Sequence, residues 1–497
     1  MSFRLSDLDK LGVAITRLAT DSRTVQPGDT FVAYPGAQAD GRRFIAQAIA
    51  NGANAVIWEC HGDFVWDAAW NVPNLGVADL RRHAGEIADR VYAQPSHKLW
   101  MIGVTGTNGK TSCSHWLAHA LGAHNCKTAL VGTLGNGFPG TLEPSPNTTP
   151  DAIRLHSLLA EYLAQGASAV SMEVSSHALA LGRINGVKYD VALFTNLSRD
   201  HLDFHGDMDH YAAAKRRLFD WQNLKFAVLN MDDAFGAQTA EELRDGGAEV
   251  IGYGLGEIAR LRAEKLGLRM VYGAHLQMNG SGLQLEVHSS WGKAQVSSAL
   301  VGRFNASNLL GTLAALLVSG VPLETAVQLL REIQPVAGRM QKFGGAGRPA
   351  VVVDYAHTPD ALENVLATLR EVATLNGGRV ICVFGCGGDR DKGKRPMMGR
   401  VASKLADQVI VTSDNPRSED PLAIIDAVLT GAEGGEVQVI ADRAAAIAQA
   451  IGQASSNDTV LVAGKGHEQY QEIAGVKHPF SDAAAVQAAL HHWRAAA

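Results

Sequence analysis

The apolar run Leu99-Trp100-Met101-Ile102 leads directly into Gly103-Val104-Thr105-Gly106-Thr107-Asn108-Gly109-Lys110-Thr111-Ser112. A strand ending in a glycine-rich turn, with Lys-Thr opening a helix, commits this part of the chain to a strand–loop–helix unit of an α/β sheet. The N–H groups of such a turn and the helix N-terminus point at anionic oxygens, and Lys110 adds a full positive charge. Thr111 offers its hydroxyl to a Mg2+ ion. The general phosphate-loop pattern has glycine five residues before Gly109; Val104 stands there, and Gly103 is one place early. An ordinary glycine-rich turn is the competing reading. The preceding strand and the intact Gly-Lys-Thr favour a phosphate cradle, and with it a nucleoside triphosphate.

One such unit cannot occupy 497 residues, and about three domains is the natural expectation. Lys+Arg 44 against Asp+Glu 50 leaves a charge of −6, which gives no general basic field for nucleic acid. No apolar stretch has the length of a bilayer span, and the opening MSFRLSDLDKLG has no signal-peptide pattern. Cys60, Cys113, Cys126, Cys382 and Cys386 form no metal-ligand spacing, and an odd count argues against a disulfide framework. A reduced, cytoplasmic setting fits this usage.

Three blocks follow along the chain. Residues 1–97 mix strand-like runs at 30–33 and 55–58 with a helix near 41–51, and end at Gln94-Pro95-Ser96-His97, which reads as a linker. Residues 98–335 carry the phosphate loop and apolar runs near 127–131, 168–174, 190–195 and 226–230, the alternation of a mostly parallel sheet. A β-rich insert at about 268–300 is expected to turn at Met278-Asn279-Gly280, before helices near 305–319 and 323–333. Residues 336–497 have strands at 350–353, 380–384, 408–411 and 460–463. The fold class is therefore α/β in three domains, a P-loop-type central ATPase domain between an N-terminal α/β domain and a C-terminal Rossmann-like domain. The last block's strands end in Asp354-Tyr355-Ala356-His357, the glycine-rich loop to Arg390, Ser413-Asp414-Asn415-Pro416-Arg417 and Gly464-Lys465-Gly466-His467-Glu468. Ligands of open α/β sheets bind outside the carboxyl ends of the strands, so these loops predict one ligand site.

In the middle block, Ala169-Val170-Ser171-Met172-Glu173 is a buried-type strand ending in a carboxylate, the natural second holder of Mg2+ in a P-loop domain. His201, in Asn196-Leu197-Ser198-Arg199-Asp200-His201-Leu202-Asp203, is a candidate ligand or a structural histidine. Lys215, in Tyr211-Ala212-Ala213-Ala214-Lys215-Arg216-Arg217, reads by itself as a surface lysine on a helix.

Taken together, Thr105 to Thr111, Met172 to His177, Asn196 to Asp203 and Asp354-Tyr355-Ala356-His357-Thr358-Pro359 resemble the Mur ligase family over essentially the full chain. The family makes amide bonds in peptidoglycan precursors with ATP through an acyl phosphate. Asp414-Asn415-Pro416-Arg417 resembles the signature of its members that add meso-diaminopimelate to UDP-MurNAc-L-Ala-D-Glu. The resemblance implies Lys110, Glu173, His201 and Lys215 as catalytic residues. It implies ATP contacts at Gly106, Thr107, Asn108, Gly109, Lys110, Thr111, Ser112, Asn308, Arg339 and Asp354. A structural capping role competes for Asn308. Mg2+ would be held by Thr111, Glu173 and His201, and Lys215 as a carbamate (N6-carboxylysine) would help hold a second Mg2+. The first block would bind the UDP-MurNAc part through Ser22, Gln38 and Ala39. Asn147, Thr148, Thr149, Ser175 and Arg183 would meet the muramoyl-dipeptide. Leu181 and Ala37 depart from the family pattern and are given no side-chain role.

Diaminopimelate would meet Arg390, Asp414, Asn415, Pro416, Arg417, Gly464 and Glu468. Its far end is a zwitterion: Arg417 can take the carboxylate in a two-pronged pair, while Asp414 and Glu468 meet ammonium groups. Lysine lacks that carboxylate and is expected to leave Arg417 buried and unpaired, at roughly 2–5 kcal/mol. A lysine-adding Mur ligase and a folylpolyglutamate-synthetase-like ligase are the alternatives within the fold; a nucleotide switch without ligase activity is the alternative outside it. The expected protein is a monomer acting on small molecules, without nucleic acid or membrane insertion.

Overall fold

The computed structural model describes residues 3–36, 39–62, 64–279 and 282–494. Three main sheets follow one another along the chain. Leu18–Ala19, Thr30–Ala33, Ala55–Glu59 and Asn74–Val77 form a four-stranded parallel sheet in sequence order. Its two faces are covered by separate apolar clusters, one around Val32, Ile57 and Leu80, the other around Phe31, Ile45 and Val56. The helix expected near 41–51 is a 3-10 turn Gly41–Phe44 continued by the α-helix Ile45–Ala50.

The middle sheet has eleven strands. Trp100–Thr105 lies at its centre, parallel to Val191–Phe194 on one side and Ala169–Glu173 on the other. Phe226–Asn230 and Glu249–Gly254 extend it in parallel beyond Val191–Phe194. Both of its faces are apolar and covered, which is why these strands read as continuous hydrophobic runs. The insert forms Arg269–Asn279, Gly282–Ser289 and Gly292–Ser298, an antiparallel meander on one edge. The first strand runs through Met278 and Asn279, placed by sequence in a turn, and Gly280 lies outside the described residues.

The third sheet has six strands, with Thr459–Ala463 between Ala350–Asp354 and Val380–Phe384, all three parallel. An antiparallel strand Gln341–Gly344 forms one edge and Glu436–Val439 the other. After Asp354 the chain enters the helix Pro359–Asn376. The Thr358 side chain accepts from the Ala361 N–H, Pro359 opens the first turn, and Gly377 ends it in the left-handed region at φ 65°. A small hairpin, Tyr470–Ile473 with Val476–Pro479, follows the last parallel strand.

The linker expected at 94–97 is instead built into the fold. Pro95–Lys98 is a 3-10 turn with Pro95 and Ser96 buried, and the Lys188 N–H donates to Ser96 Oγ at 3.0 Å. Proline and serine signalled a break in helix and strand, and packing against the next block holds that break in place. No helix among the described residues is long and apolar enough to cross a membrane.

Candidate active site

Gly106 leaves the central strand at φ 145°, and a Cβ there would lie 1.9 Å from Thr195 Oγ1. Gly109 has φ 86°, and a Cβ would lie 2.6 Å from Asn308 Oδ1. Only glycine meets both demands, so the loop can press its backbone against neighbouring strand ends. Thr107 N–H donates to Asn196 O and Asn108 N–H to Asn196 Oδ1, which ties the loop to the strand end at 195–198. The helix Lys110–Ala123 starts immediately after Gly109, with Thr111 and Ser112 buried in its first turn. Asn308 sits in the second turn of the helix Arg303–Val318, whose cap is Gly302, so the capping role is excluded and its side chain packs on the loop.

Two lysines converge on the same carbonyl. Lys110 Nζ donates to Gly106 O at 2.9 Å and to Thr107 O at 2.8 Å, and Lys215 Nζ donates to Gly106 O at 2.7 Å. The surface reading of Lys215 is overturned: only 1% of the residue is exposed. Lys215 lies with Tyr211 and Ala214 on the buried face of Met208–Arg216, where its Nζ is also 4.5 Å from the Tyr211 ring centroid. Burial, and then the charge of Lys110, push the Lys215 amine well below its usual pKa. Burial also lowers Lys110, against the opposing carboxylates of Glu173 and Asp200.

Glu173 is fully buried at the end of its strand. It accepts from Thr111 Oγ1 at 2.9 Å, from the Thr133 N–H at 2.7 Å and from Thr133 Oγ1 at 3.1 Å. Arg339 reaches across from the third block: Nη2 donates to Thr111 Oγ1 at 3.2 Å, and its guanidinium lies 4.3 Å from the Tyr355 ring centroid. Asp354, buried beside it, accepts from the Met340 N–H at 2.7 Å, and burial raises its pKa. His201 pairs with Asp200 at 3.3 Å and meets the His177 ring edge-on at 4.8 Å. Burial pushes its pKa down to about 2, so the imidazole is neutral. Among the described residues no hydrogen bond or ion pair joins His201 to Glu173, and no group of three or more His, Cys, Asp and Glu is placed to hold a metal. The oxygens that do meet are those of Thr111 and Glu173.

The dipeptide candidates gather next to Glu173. Thr149 Oγ1 donates to Glu173 O at 2.8 Å, Arg183 Nη1 to Thr149 O at 3.1 Å, and Ser175 caps its helix through the Ala178 N–H. Thr148 Oγ1 lies 3.0 Å from Thr133 Oγ1, and the Asn147 carbonyl accepts from Ser145 Oγ. Ser22, in the first block, is buried and donates to Gln47 Oε1 at 2.8 Å. Ala39 is exposed, its carbonyl accepting from the Gly36 N–H. Gln38 and Ala37 lie outside the described residues.

In the third block Asp414, Asn415 and Pro416 are buried. Asn415 Nδ2 donates to Glu468 Oε2 at 2.8 Å, and Asp414 Oδ1 accepts from the Asn415 N–H at 2.7 Å. Gly464 presses on Asp414, whose Oδ2 would be 2.6 Å from a Cβ there. Arg390 is exposed, on the wall of a cleft of about 670 Å³ that Arg199, Asp203 and Asp207 share with Asp391 and Lys392. Arg417 departs from the expectation of a buried, otherwise unpaired cation. Its side chain is 21% exposed, Nη1 donates to Gly388 O at 2.6 Å, and Nε stands 3.7 Å from Glu472. Gly388, in the loop after Val380–Phe384, and Glu472, in the hairpin, supply these partners, so lysine in place of diaminopimelate would not strand a buried charge there.

Several residues that matter here carried no assignment from sequence. Arg199 grips Asp391 in a two-pronged pair (2.9 and 3.1 Å) across the two blocks. Asp200 lies 3.5 Å from both Lys394 and His357. Its burial would raise its pKa, but the hydrogen bond from His357 and the charge of Lys394 hold it well below the usual carboxylate range. Asp360 accepts at 3.1 Å from Nδ2 of Asn108, itself an ATP contact expected from sequence. Their signal was position: Arg199, Asp200, His357 and Asp391 sit in loops after strands, and Asp360 and Lys394 in the first turns of the helices that follow.

Three family models match successive parts of the chain: "Mur ligase family, catalytic domain" over 14–92, "Mur ligase middle domain" over 104–316 and "Mur ligase, glutamate ligase domain" over 338–466. The chain is 53% identical over 486 residues to the UDP-N-acetylmuramoyl-L-alanyl-D-glutamate–2,6-diaminopimelate ligase of Chromobacterium violaceum, covering 98% of this chain and 96% of that one. Its identity to the enzyme of the same name from Nitrosomonas europaea is 50% over 495 residues, covering 97% and 94%. A solved structure of a ligase with that name superimposes with a TM-score of 0.67 at 39% identity, covering 96% of this chain and 95% of that one. With the phosphate loop, the buried Glu173 and the facing strand-end loops in place, these matches make the chain a member of the Mur ligase family.

Proposed function

We propose that this protein adds meso-2,6-diaminopimelate to the D-glutamate side-chain carboxylate of UDP-N-acetylmuramoyl-L-alanyl-D-glutamate, with ATP, in peptidoglycan synthesis. The observation that carries the reading is the loop Asp414 to Arg417, held with Glu468 on the domain that Arg199–Asp391 and Asp200–Lys394 join to the phosphate loop. The names of relatives matched over nearly the whole chain support it.

A carboxylate is a poor acyl donor because hydroxide leaves badly. The D-glutamate oxygen attacks the γ-phosphorus of ATP, the bond to ADP breaks, and an acyl phosphate forms. The diaminopimelate amine then attacks the acyl carbon, phosphate departs, and the amine loses a proton. Catalysis of this kind consists mainly of positioning and charge neutralisation. Lys110 and the N–H groups of 106–112 suit the phosphates, with Arg339 and Asp354 on the facing domain. Thr149, Ser175 and Arg183 suit the dipeptide, whose acceptor carboxylate would then lie near Glu173. The first domain, with Ser22 and the segment around 38–39, takes the UDP end, and the sheets of 98–335 and 336–497 are the P-loop-type and Rossmann-like units of the reading.

Paired hydroxyl and carboxylate oxygens at Thr111 and Glu173 suit Mg2+, which takes one or two carboxylates and completes its shell with phosphates and water. Thr111 and Glu173, with His201, would hold one ion and a carboxylated Lys215 would help hold a second; when bound, these ions neutralise phosphate charge. The buried, neutral-leaning Lys215 amine is the form that can attack CO2; the new N–C bond releases one proton and leaves an anion. The test is phosphate release from ATP. It should require both the UDP-dipeptide and diaminopimelate; release with neither present would favour a nucleotide switch.

A further inference from the structure

Lys465 is completely buried, yet it carries a formal charge and has no part in the chemistry above. Its Nζ donates to Asn415 Oδ1 at 2.9 Å and to Glu468 Oε2 at 2.7 Å. The same Asn415 oxygen accepts from the Glu472 N–H at 2.9 Å, and Nδ2 donates to the same Glu468 oxygen at 2.8 Å. A side-chain amide has two chemically opposite ends, and an acceptor end facing an ammonium and an N–H can point only one way. Lys465, together with the Glu472 N–H, therefore fixes the orientation of Asn415, and it occupies one of the two oxygens of Glu468.

What remains uncommitted is informative. Among the described residues no hydrogen bond engages Glu468 Oε1 or Arg417 Nη2, and one of the two Asn415 Nδ2 hydrogens is also unspent. One acceptor on an anion and two donors, one from a cation, form the complement of a zwitterion: the acceptor for an ammonium, the donors for a carboxylate. Without the Lys465 charge, both Glu468 oxygens would be free to turn toward other donors and Asn415 Oδ1 would keep only the Glu472 N–H, so the pattern would loosen while the loop remained.

We propose that Lys465 is a positioning residue that sets the selectivity of this site for an amino acid with a zwitterionic far end. The proposal rests on the reading of the Asp414–Arg417 loop as the amino-acid site. The Tyr470 ring of the hairpin lies 5.6 Å from the Lys465 ammonium.

Lys465→Met removes the charge and both donors; Lys465→Gln removes the charge and keeps a donor for Asn415. The assay is steady-state ligation with each substrate varied in turn, with diaminopimelate and lysine as alternative acceptors. Lys465→Met should raise KM for diaminopimelate about tenfold or more, the scale of a lost charge-assisted contact, and leave KM for ATP and the UDP-dipeptide within about twofold. Its preference for diaminopimelate over lysine should fall in parallel, and Lys465→Gln should fall between it and the parent. Combining Lys465→Met with Glu468→Gln should give less than the product of the single effects, because the two act through one contact. If either folded variant keeps the parent's KM and preference, the proposal is overturned. Equal rises in KM for all three substrates would overturn it too, since a general scaffold residue behaves that way. A parent enzyme that does not use diaminopimelate would instead refute the reading of the loop.

Discussion

The contact between Arg199 and Asp391 gives a quantitative handle on how two domains share one reaction. Asp391 is 7% exposed at its side chain and Arg199 38%, so the pair lies between a surface ion pair, worth about 0.2–1 kcal/mol, and a charge-assisted bidentate one, worth about twice a neutral hydrogen bond. Asp391→Asn keeps the shape, and through its amide oxygen it keeps the acceptor for the Gly393 N–H, at 2.9 Å in the parent. It removes the charge and one of the two contacts to Arg199. A loss of about 1–2 kcal/mol in the joined arrangement follows, a factor of about 5–30 in its population. The phosphate loop and the Asp414–Arg417 loop, proposed as the amino-acid site, lie on opposite sides of this contact, so kcat/KM for diaminopimelate should fall by that factor. The thermal midpoint should hardly move, because each domain keeps its own core. High salt should weaken the parent and leave the variant nearly unaffected. A variant with the parent's kcat/KM at both low and high salt would refute the claim that this pair holds the domains in their working arrangement.

Three further outcomes are expected. Lys215→Ala should lose most activity, and a short-chain carboxylic acid should restore part of it; full activity without rescue would show that the lysine needs no carboxylate. Glu173→Gln should abolish product formation while leaving the fold intact, because Gln keeps the shape and one acceptor oxygen for the Thr133 N–H, its NH2 can donate to the threonine hydroxyls, and only the charge is lost; turnover at the parent's rate would remove Glu173 from the site. The third concerns His156, fully buried, with Nε2 at 3.0 Å from Asn185 O, where burial pushes its pKa from 6.5 down to about 4. Above pH 6.5 it is neutral folded or unfolded; below, the unfolded chain takes a proton that the fold refuses. Stability should therefore fall between pH 6.5 and about 4, by up to about 1.4 kcal/mol per pH unit from this group. In His156→Gln the decline of the thermal midpoint over that window should be shallower; an unchanged decline would assign it to other groups.

Much of the fold was legible because its parallel strands are buried on both faces and end in loops of unusual composition. Val380 to Phe384 and Thr459 to Ala463 have no polar side to confuse the pattern. The edge strands Gln341–Gly344 and Glu436–Val439 are half exposed and short, and polar residues on such edges look like loop. In the site, Glu173 and the phosphate loop were legible from local chemistry. Lys215 was not, because Ala-Ala-Ala-Lys-Arg-Arg has the composition of a solvated helix face, and only packing against the phosphate loop reveals which face is inside. Arg417 erred the other way: its partners, Gly388 in a loop and Glu472 in the hairpin, are distant in sequence, so sequence alone left it more isolated than it is. Contacts such as Arg199–Asp391 join residues 192 positions apart and depend on how two domains meet.

The measurement closest to the central claim is an amino-acid panel with the UDP-dipeptide and ATP, scoring ligated product for meso-diaminopimelate against lysine. The zwitterion-complementary pattern at Asn415, Arg417 and Glu468 predicts efficient ligation of meso-diaminopimelate and little of lysine. Equal use of the two, or a preference for lysine, would contradict it.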